Sequence, residues 1–120
     1  FFLVVTTSFQ ARSWELIASG SNFKEYFKNP ARSGRTASIL SMRDYNSEMD
    51  HKGKKYLSVK KLFQFDCTRS IFRLSLVEKY EKNKLKGDLR YISKTKSSWE
   101  VVSPNTLNEM AMKKACKKKN

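Results

Sequence analysis

Two cysteines, one histidine and a large excess of lysine are the residues of this 120-residue chain whose types could do chemistry. Cys67 closes the alternating stretch FQFDC at residues 63–67, and Cys116 stands in KKAC near the other end. Two thiols can bridge, ligate a metal, or stay buried as small hydrophobes. A zinc site takes about four ligands, and one histidine with two distant cysteines does not supply the spacing, so no metal and no cofactor is expected. His51, in DHKGKK, has Asp44, Glu48 and Asp50 near it in sequence, on a polar stretch where carboxylates are common anyway. No nucleophile or orienting acid stands at a telling distance, so His51 carries no catalytic expectation. The glycines at 20, 34, 53 and 87 are too scattered for a phosphate-cradling loop. The chain reads as a non-enzyme.

The remaining chemistry is charge. Lys and Arg number 25 against 11 Asp and Glu, a formal charge of +14. Such an excess favours polyanions as partners: nucleic acid, anionic lipid or acidic polysaccharide. Lys52, Lys54 and Lys55, with Lys60 and Lys61 just beyond, form the candidate contact patch, set against the default of a solvated loop. Lys60, Lys61, Phe63 and Phe65, followed by Arg69, Phe72 and Arg73, have the outline of a base-stacking sheet. The glycines of an RNA-recognition signature are missing, however. Alternation also puts Phe63, Phe65 and Cys67 on one face, where rings are core before they are platforms.

The elements that position these residues are strands with one closing helix. Trp14, Leu16 and Ala18 alternate, and Gly20-Ser21-Asn22 marks a turn. Asn29-Pro30 and Arg32-Ser33-Gly34 mark an irregular connection. A second strand is expected over residues 35–45, and the polar NSEMDHKGKK at 46–55 reads as a loop. Residues 56–67, YLSVKKLFQFDC, form the clearest strand, with Leu57, Val59, Phe63, Phe65 and Cys67 of one parity and Lys61 interrupting. SIFRLSLVEKY alternates again, Leu89 and Tyr91 lead a further strand, TKSSW is a polar turn, and WEVV is a last extended piece. In SPNTLNEMAMKKAC the period changes. Ser103 before Pro104 is one cap and Thr106 with Glu109 another, and Leu107, Met110, Ala111 and Ala115 form the stripe of an amphipathic helix of about three turns. The fold expected is α+β: an antiparallel meander with a C-terminal helix on one face. Trp14 and Trp99 are expected as large packing groups.

The compartment follows from the thiols and the N-terminus. Phe1 to Val5 are apolar and Thr6, Thr7 and Ser8 small and polar, like the end of a signal-peptide hydrophobic region, against the alternative of an ordinary first strand. This divides the chain into a signal remnant at 1–12, one domain at 13–118 and a basic tail at 117–120. No other apolar run approaches a transmembrane length. A helix over the sheet would bring the strand-ending Cys67 near the helix-ending Cys116, and a bridge there would close a loop of about fifty residues. Two buried free thiols are the alternative; the signal-like start favours the bridge.

The order of these features resembles the surface-adhesin E family of small exported proteobacterial proteins. Trp14 with Glu15-Leu16-Ile17, then FKEYF, RTASILSMRDY, GKKYLSVKKLFQFDC, a basic strand with Arg69 and Arg73, SSWEVVSPNT and the cysteine of KKAC follow that family's sequence of parts over most of residues 13–118. The resemblance implies an antiparallel sheet with a C-terminal helix tied by a Cys67–Cys116 disulfide, and export across the inner membrane. It implies an adhesin-like protein that binds a protein ligand, such as a host extracellular-matrix component, and that can form a homodimer. No lipid-attachment cysteine follows the apolar start, so periplasmic and surface or secreted residence stand side by side. The rival expectation is a cytoplasmic basic nucleic-acid-binding protein with free thiols.

Overall fold

A computed structural model describes residues 13–118; the expected signal remnant at 1–12 and the end of the expected tail lie outside the described residues. Six strands follow one another in meander order: β1 (Glu15–Ser19), β2 (Phe23–Ser33), β3 (Thr36–His51), β4 (Lys54–Asp66), β5 (Ile71–Lys82) and β6 (Lys86–Ser93). A two-residue β7 (Glu100–Val101) returns to β5, and one helix, α1 (Leu107–Ala115), closes the chain. The α+β meander expected from the periodicities is the architecture found.

Three stretches differ from their expected form. The polar residues 46–55 are not a loop: β3 runs to His51, β4 begins at Lys54, and only Lys52 and Gly53 turn, at φ of 51° and 87°. Two positive φ values are what a tight hairpin matched to strand twist requires. Asp50 Oδ2 accepts the Gly53 N–H at 3.1 Å. Asn29-Pro30 is a bulge inside β2, with Asn29 at φ 55° and pairing to β3 resumed at Ala31. β1 pairs with β2 only as far as Phe27, so Pro30 falls where β2 has become a sheet edge and its missing N–H is tolerated. The TKSSW stretch continues along β5, with Ser97 N–H donating to Leu74 O and Leu74 N–H to Ser97 Oγ, both at 2.9 Å. β6 and β7 are thus two parts of one interrupted edge.

The core lies where α1 covers one face of the sheet. Register brings Ala37 opposite Phe65 and Phe65 opposite Phe72, with Ile39 opposite Phe63. Phe27 and Val102 join them, and Ala111 and Ala115 press the helix down. Two alanines four apart give α1 a flat contact line, and the residues beside it lie about 100° round on either side. Met112 falls on the covered flank and packs on the core, whereas Met110, expected inward, is exposed. Thr106 is the cap the helix uses: its Oγ1 accepts the Glu109 N–H at 3.2 Å, and Glu109 Oε1 accepts the Asn105 N–H at 3.0 Å.

Cys67 and Cys116 form a disulfide with Cα atoms 5.8 Å apart. Asp66 prepares it. Its Oδ1 accepts the N–H groups of Thr68 and Arg69 at 3.0 and 3.1 Å, closing the β4–β5 turn, while Cys67 N–H donates to Arg35 O at 2.7 Å. Arg32 donates to the Cys116 carbonyl at the end of α1.

On the opposite face the β5–β6 connection folds back over the sheet. Lys84 and Leu85 both stand at φ 60°, which is costly for side chains larger than glycine. Buried polar groups hold them there: Asp44 Oδ1 accepts the Lys84 N–H at 2.8 Å and Ser58 Oγ the Leu85 N–H at 3.0 Å. Asp44→Ala should therefore cost about 1–3 kcal/mol in urea denaturation, the cost of orphaning a buried donor, and Asp44→Asn should recover most of it by keeping the acceptor. Equal losses in both variants would mean that the carboxylate acts through its charge on Lys84 Nζ, 3.6 Å away.

Candidate functional site

The five lysines of the expected contact patch are not gathered into one surface. Lys52 lies at the β3–β4 turn with Lys54 and Lys55 beside it, all exposed, and Lys55 Nζ is 3.4 Å from Asp50 Oδ1. Lys60 and Lys61 are adjacent in β4 and so point to opposite faces. Lys60 pairs with Glu78 at 3.3 Å on the face away from the helix. Lys61 stands on the helix side, in register with Ser41 and Val77.

That helix-side face has a second half that α1 does not line with its core contacts, and there cations and aromatic rings are interleaved. Glu25 is buried and accepts from Ser41 Oγ at 2.9 Å and from Arg43 Nε at 2.6 Å. The Arg43 guanidinium lies 4.0 Å from the Phe23 ring centroid. Burial would lower the Arg43 pKa, but the hydrogen bonds and charges of Glu25 and Tyr45 outweigh it and hold the pKa above its ordinary value. Burial pushes the Lys61 ammonium below its ordinary value; Glu25 opposes this, and Arg43 and Lys79 add to it.

One row further along, Lys79 Nζ is 2.9 Å from His51 Nδ1, 4.8 Å from the Tyr56 centroid and 5.4 Å from the Tyr91 centroid. His51 and Tyr91 are in contact with centroids 4.2 Å apart. Partial desolvation, and then the positive charges of Lys79 and Lys52, lower the His51 pKa and favour the neutral ring. With Nδ1 accepting from an ammonium, the proton sits on Nε2. An imidazole engaged this way is not a free base at Nδ1, and the ammonium and the rings together form a cation–aromatic stack. Among the described residues no group of His, Cys, Asp and Glu could hold a metal ion.

Neither tryptophan belongs to the core cluster. Trp14 lies beneath Lys28, whose Nζ is 5.1 Å from the ring centroid. Trp99 is 42% exposed, with the Arg73 guanidinium 4.4 Å from its centroid. Phe63, Phe65 and Phe72 are buried under the helix and offer no stacking platform.

These geometries meet in one architecture: a six-strand meander, a terminal helix ending in cysteine, and a bridge from that cysteine to the end of the central strand. A model of the family described as surface-adhesin protein E matches residues 14–117. The chain belongs to that family. The match spans both tryptophans, the whole sheet, the helix and both bridged cysteines of this adhesin E chain. No curated protein gives a significant match. Among the described residues of this adhesin E chain, no helix is long and apolar enough to cross a membrane.

Lys79 and Tyr56 are interacting residues that reading the sequence did not single out, while Tyr91 stood there only as a strand residue and Arg73 only as one cation of a basic strand. Their signal was present as cations and aromatics at matching parity on different strands. It becomes visible only when the pairing register is known, because cross-strand neighbours are far apart in sequence.

Proposed function

We propose that this adhesin E chain is an exported, non-enzymatic binding protein of the bacterial envelope or surface that takes a protein ligand, with host extracellular-matrix proteins as the ligand class. The observation that carries this reading is the family match over residues 14–117. The disulfide supports it, since such bonds persist in oxidising compartments outside the cytoplasm. Residues 13–118 act as one binding domain, with residues 117–120 adding positive charge. The hairpin lysines Lys52 and Lys54, exposed at the β3–β4 turn, steer acidic surfaces of the ligand toward the sheet.

The test is binding of the oxidised full chain to a panel of immobilised extracellular-matrix proteins, followed by surface plasmon resonance across a salt series. Saturable binding to at least one of them at about 150 mM salt is expected, weakening as salt rises. The pair Lys52→Glu and Lys54→Glu should slow association about tenfold while leaving the dissociation rate little changed. Retention of nucleic acid with a steep salt slope, and of no matrix protein, would transfer the reading to a nucleic-acid-binding protein.

A further inference from the structure

We propose that the face of the sheet opposite the helix carries a binding site for an acidic saccharide, built around Arg73. A cavity of about 370 Å³ opens there, within the range that holds a small ligand. Its floor follows from the register. Ala31 pairs with Ser38, Ser38 with Gln64, and Gln64 with Arg73, so side chains from four neighbouring strands form one transverse row. Ala31 and Ser38 are small and leave the space. Ser33 and Thr36, the next pair along β2 and β3, add hydroxyls at its margin.

Arg73 closes one end of the row and is held in two ways. Its Nε donates to Gln64 Oε1 at 2.9 Å, and its guanidinium lies 4.4 Å from the Trp99 ring centroid. The terminal nitrogens remain as a pre-oriented fork, the geometry suited to two parallel bonds to a carboxylate or sulfate. Arg32, at the rim, is already committed to the carbonyls of Gly34 and Cys116. No acidic residue lines the cavity, and among the described residues no carboxylate pairs with Arg73.

The chemistry around the fork selects the ligand. A bare inorganic anion would use Arg73 and leave the cavity and its hydroxyls unfilled. An apolar acid would bury the Ser33 and Ser38 hydroxyls and the Gln64 amide N–H groups without partners, which costs binding energy. A nucleotide base needs an open aromatic face, and Trp99 already gives one to Arg73. A sugar ring with several hydroxyls and one anionic group satisfies these conditions: the anion on Arg73, and the hydroxyls on Ser38, Thr36 and the Gln64 amide. Uronates, sialates and sugar sulfate esters share this chemistry. The site lies across the sheet from the cation–aromatic stack, so it goes beyond the protein-binding reading, and its failure leaves that reading standing.

The experiment is isothermal titration of the oxidised full chain with glucuronate, N-acetylneuraminate, glucosamine 6-sulfate, glucose, inorganic sulfate and adenosine monophosphate. Saturable binding of at least one acidic sugar is expected, with glucose and inorganic sulfate much weaker; whether a carboxylated or a sulfated sugar binds best identifies the anionic group. Arg73→Gln should weaken that binding about tenfold or more. Arg73→Lys should also weaken it, because a point charge does not replace the fork. Trp99→Ala should act in the same direction by freeing the guanidinium. All three replace surface side chains, and an unchanged melting temperature separates lost binding from lost folding. Inorganic sulfate binding as well as any sugar, adenosine monophosphate binding more tightly than every sugar, no acidic sugar binding at all, or undiminished binding in folded Arg73→Gln would each overturn the proposal.

Discussion

Replacing both Cys67 and Cys116 with alanine should lower the unfolding free energy by about 4 kcal/mol and the melting temperature by about 15–30 °C. The bridge joins residues 49 apart, and tying a loop of that size removes that much conformational freedom from the unfolded chain. The folded state gains as well. Helix α1 has nine residues, too few to persist alone in water. Its fully buried contact with the sheet is the side chains of Ala111 and Ala115, among the smallest available. Such a helix needs an anchor, and the bridge sits directly after its last turn. In the double variant, amide exchange in α1 should therefore become faster than exchange in β3 and β4, the two central strands of the meander. Melting followed by circular dichroism, with exchange read by mass spectrometry, checks both parts. A shift of only about 5 °C with α1 still protected would mean that helix packing, and not the bridge, fixes the last element.

The parts of this fold that were legible in the sequence are those governed by local periodicity. YLSVKKLFQFDC keeps its apolar parity at Phe63, Phe65 and Cys67, where the core lies under α1, and Lys61 breaks it where that cover ends. Thr106 with Glu109 is a local signature, and it is the cap used. The hairpin at 46–55 was illegible for the opposite reason. Outside the helix-covered core its arms have no apolar side to keep in step, so polar composition resembled a loop. TKSSW was obscured by its serines: Ser97 hydrogen-bonds to β5, yet the stretch forms no regular ladder and has no apolar alternation to mark it. The site was less legible than the fold. The lysine patch was chosen by nearness along the chain, whereas the sheet sends Lys60 and Lys61 to opposite faces. Arg73, Gln64, Ser38 and Ala31 belong to four strands, and only register places them in one row.

Glu25→Gln should cost about 3 kcal/mol, because it removes the buried carboxylate that faces two cations. Glu25 keeps 5% of its surface, while Arg43 acts on it from the adjacent β3 and Lys61 from β4, one strand further on. Glutamine can still accept from Ser41 or Arg43, so what is lost is charge and not shape. Lys61 marks the other side of the balance. Burial already disfavours its ammonium, and among the described residues no carboxylate lies within ion-pair distance of it, so removing this cation relieves a desolvation cost. Lys61→Met alone should therefore be neutral or stabilising in urea denaturation at neutral pH. In the Glu25→Gln background it should recover about 1 kcal/mol of the loss, a coupling expected for groups whose charges act on each other. A cost above about 2 kcal/mol for Lys61→Met would show that the lysine is structural, its charge balanced by Glu25. The expected result has a further meaning. A half-buried lysine that adds nothing to stability, on the part of the face that α1 leaves open, is placed where a ligand's carboxylate could complete the ion pairs that Glu25 alone cannot. The same Lys61→Met variant should then bind the protein ligand more weakly while melting no lower. Unchanged affinity would remove the cation–aromatic half of this face from the binding surface and leave the hairpin lysines to carry it.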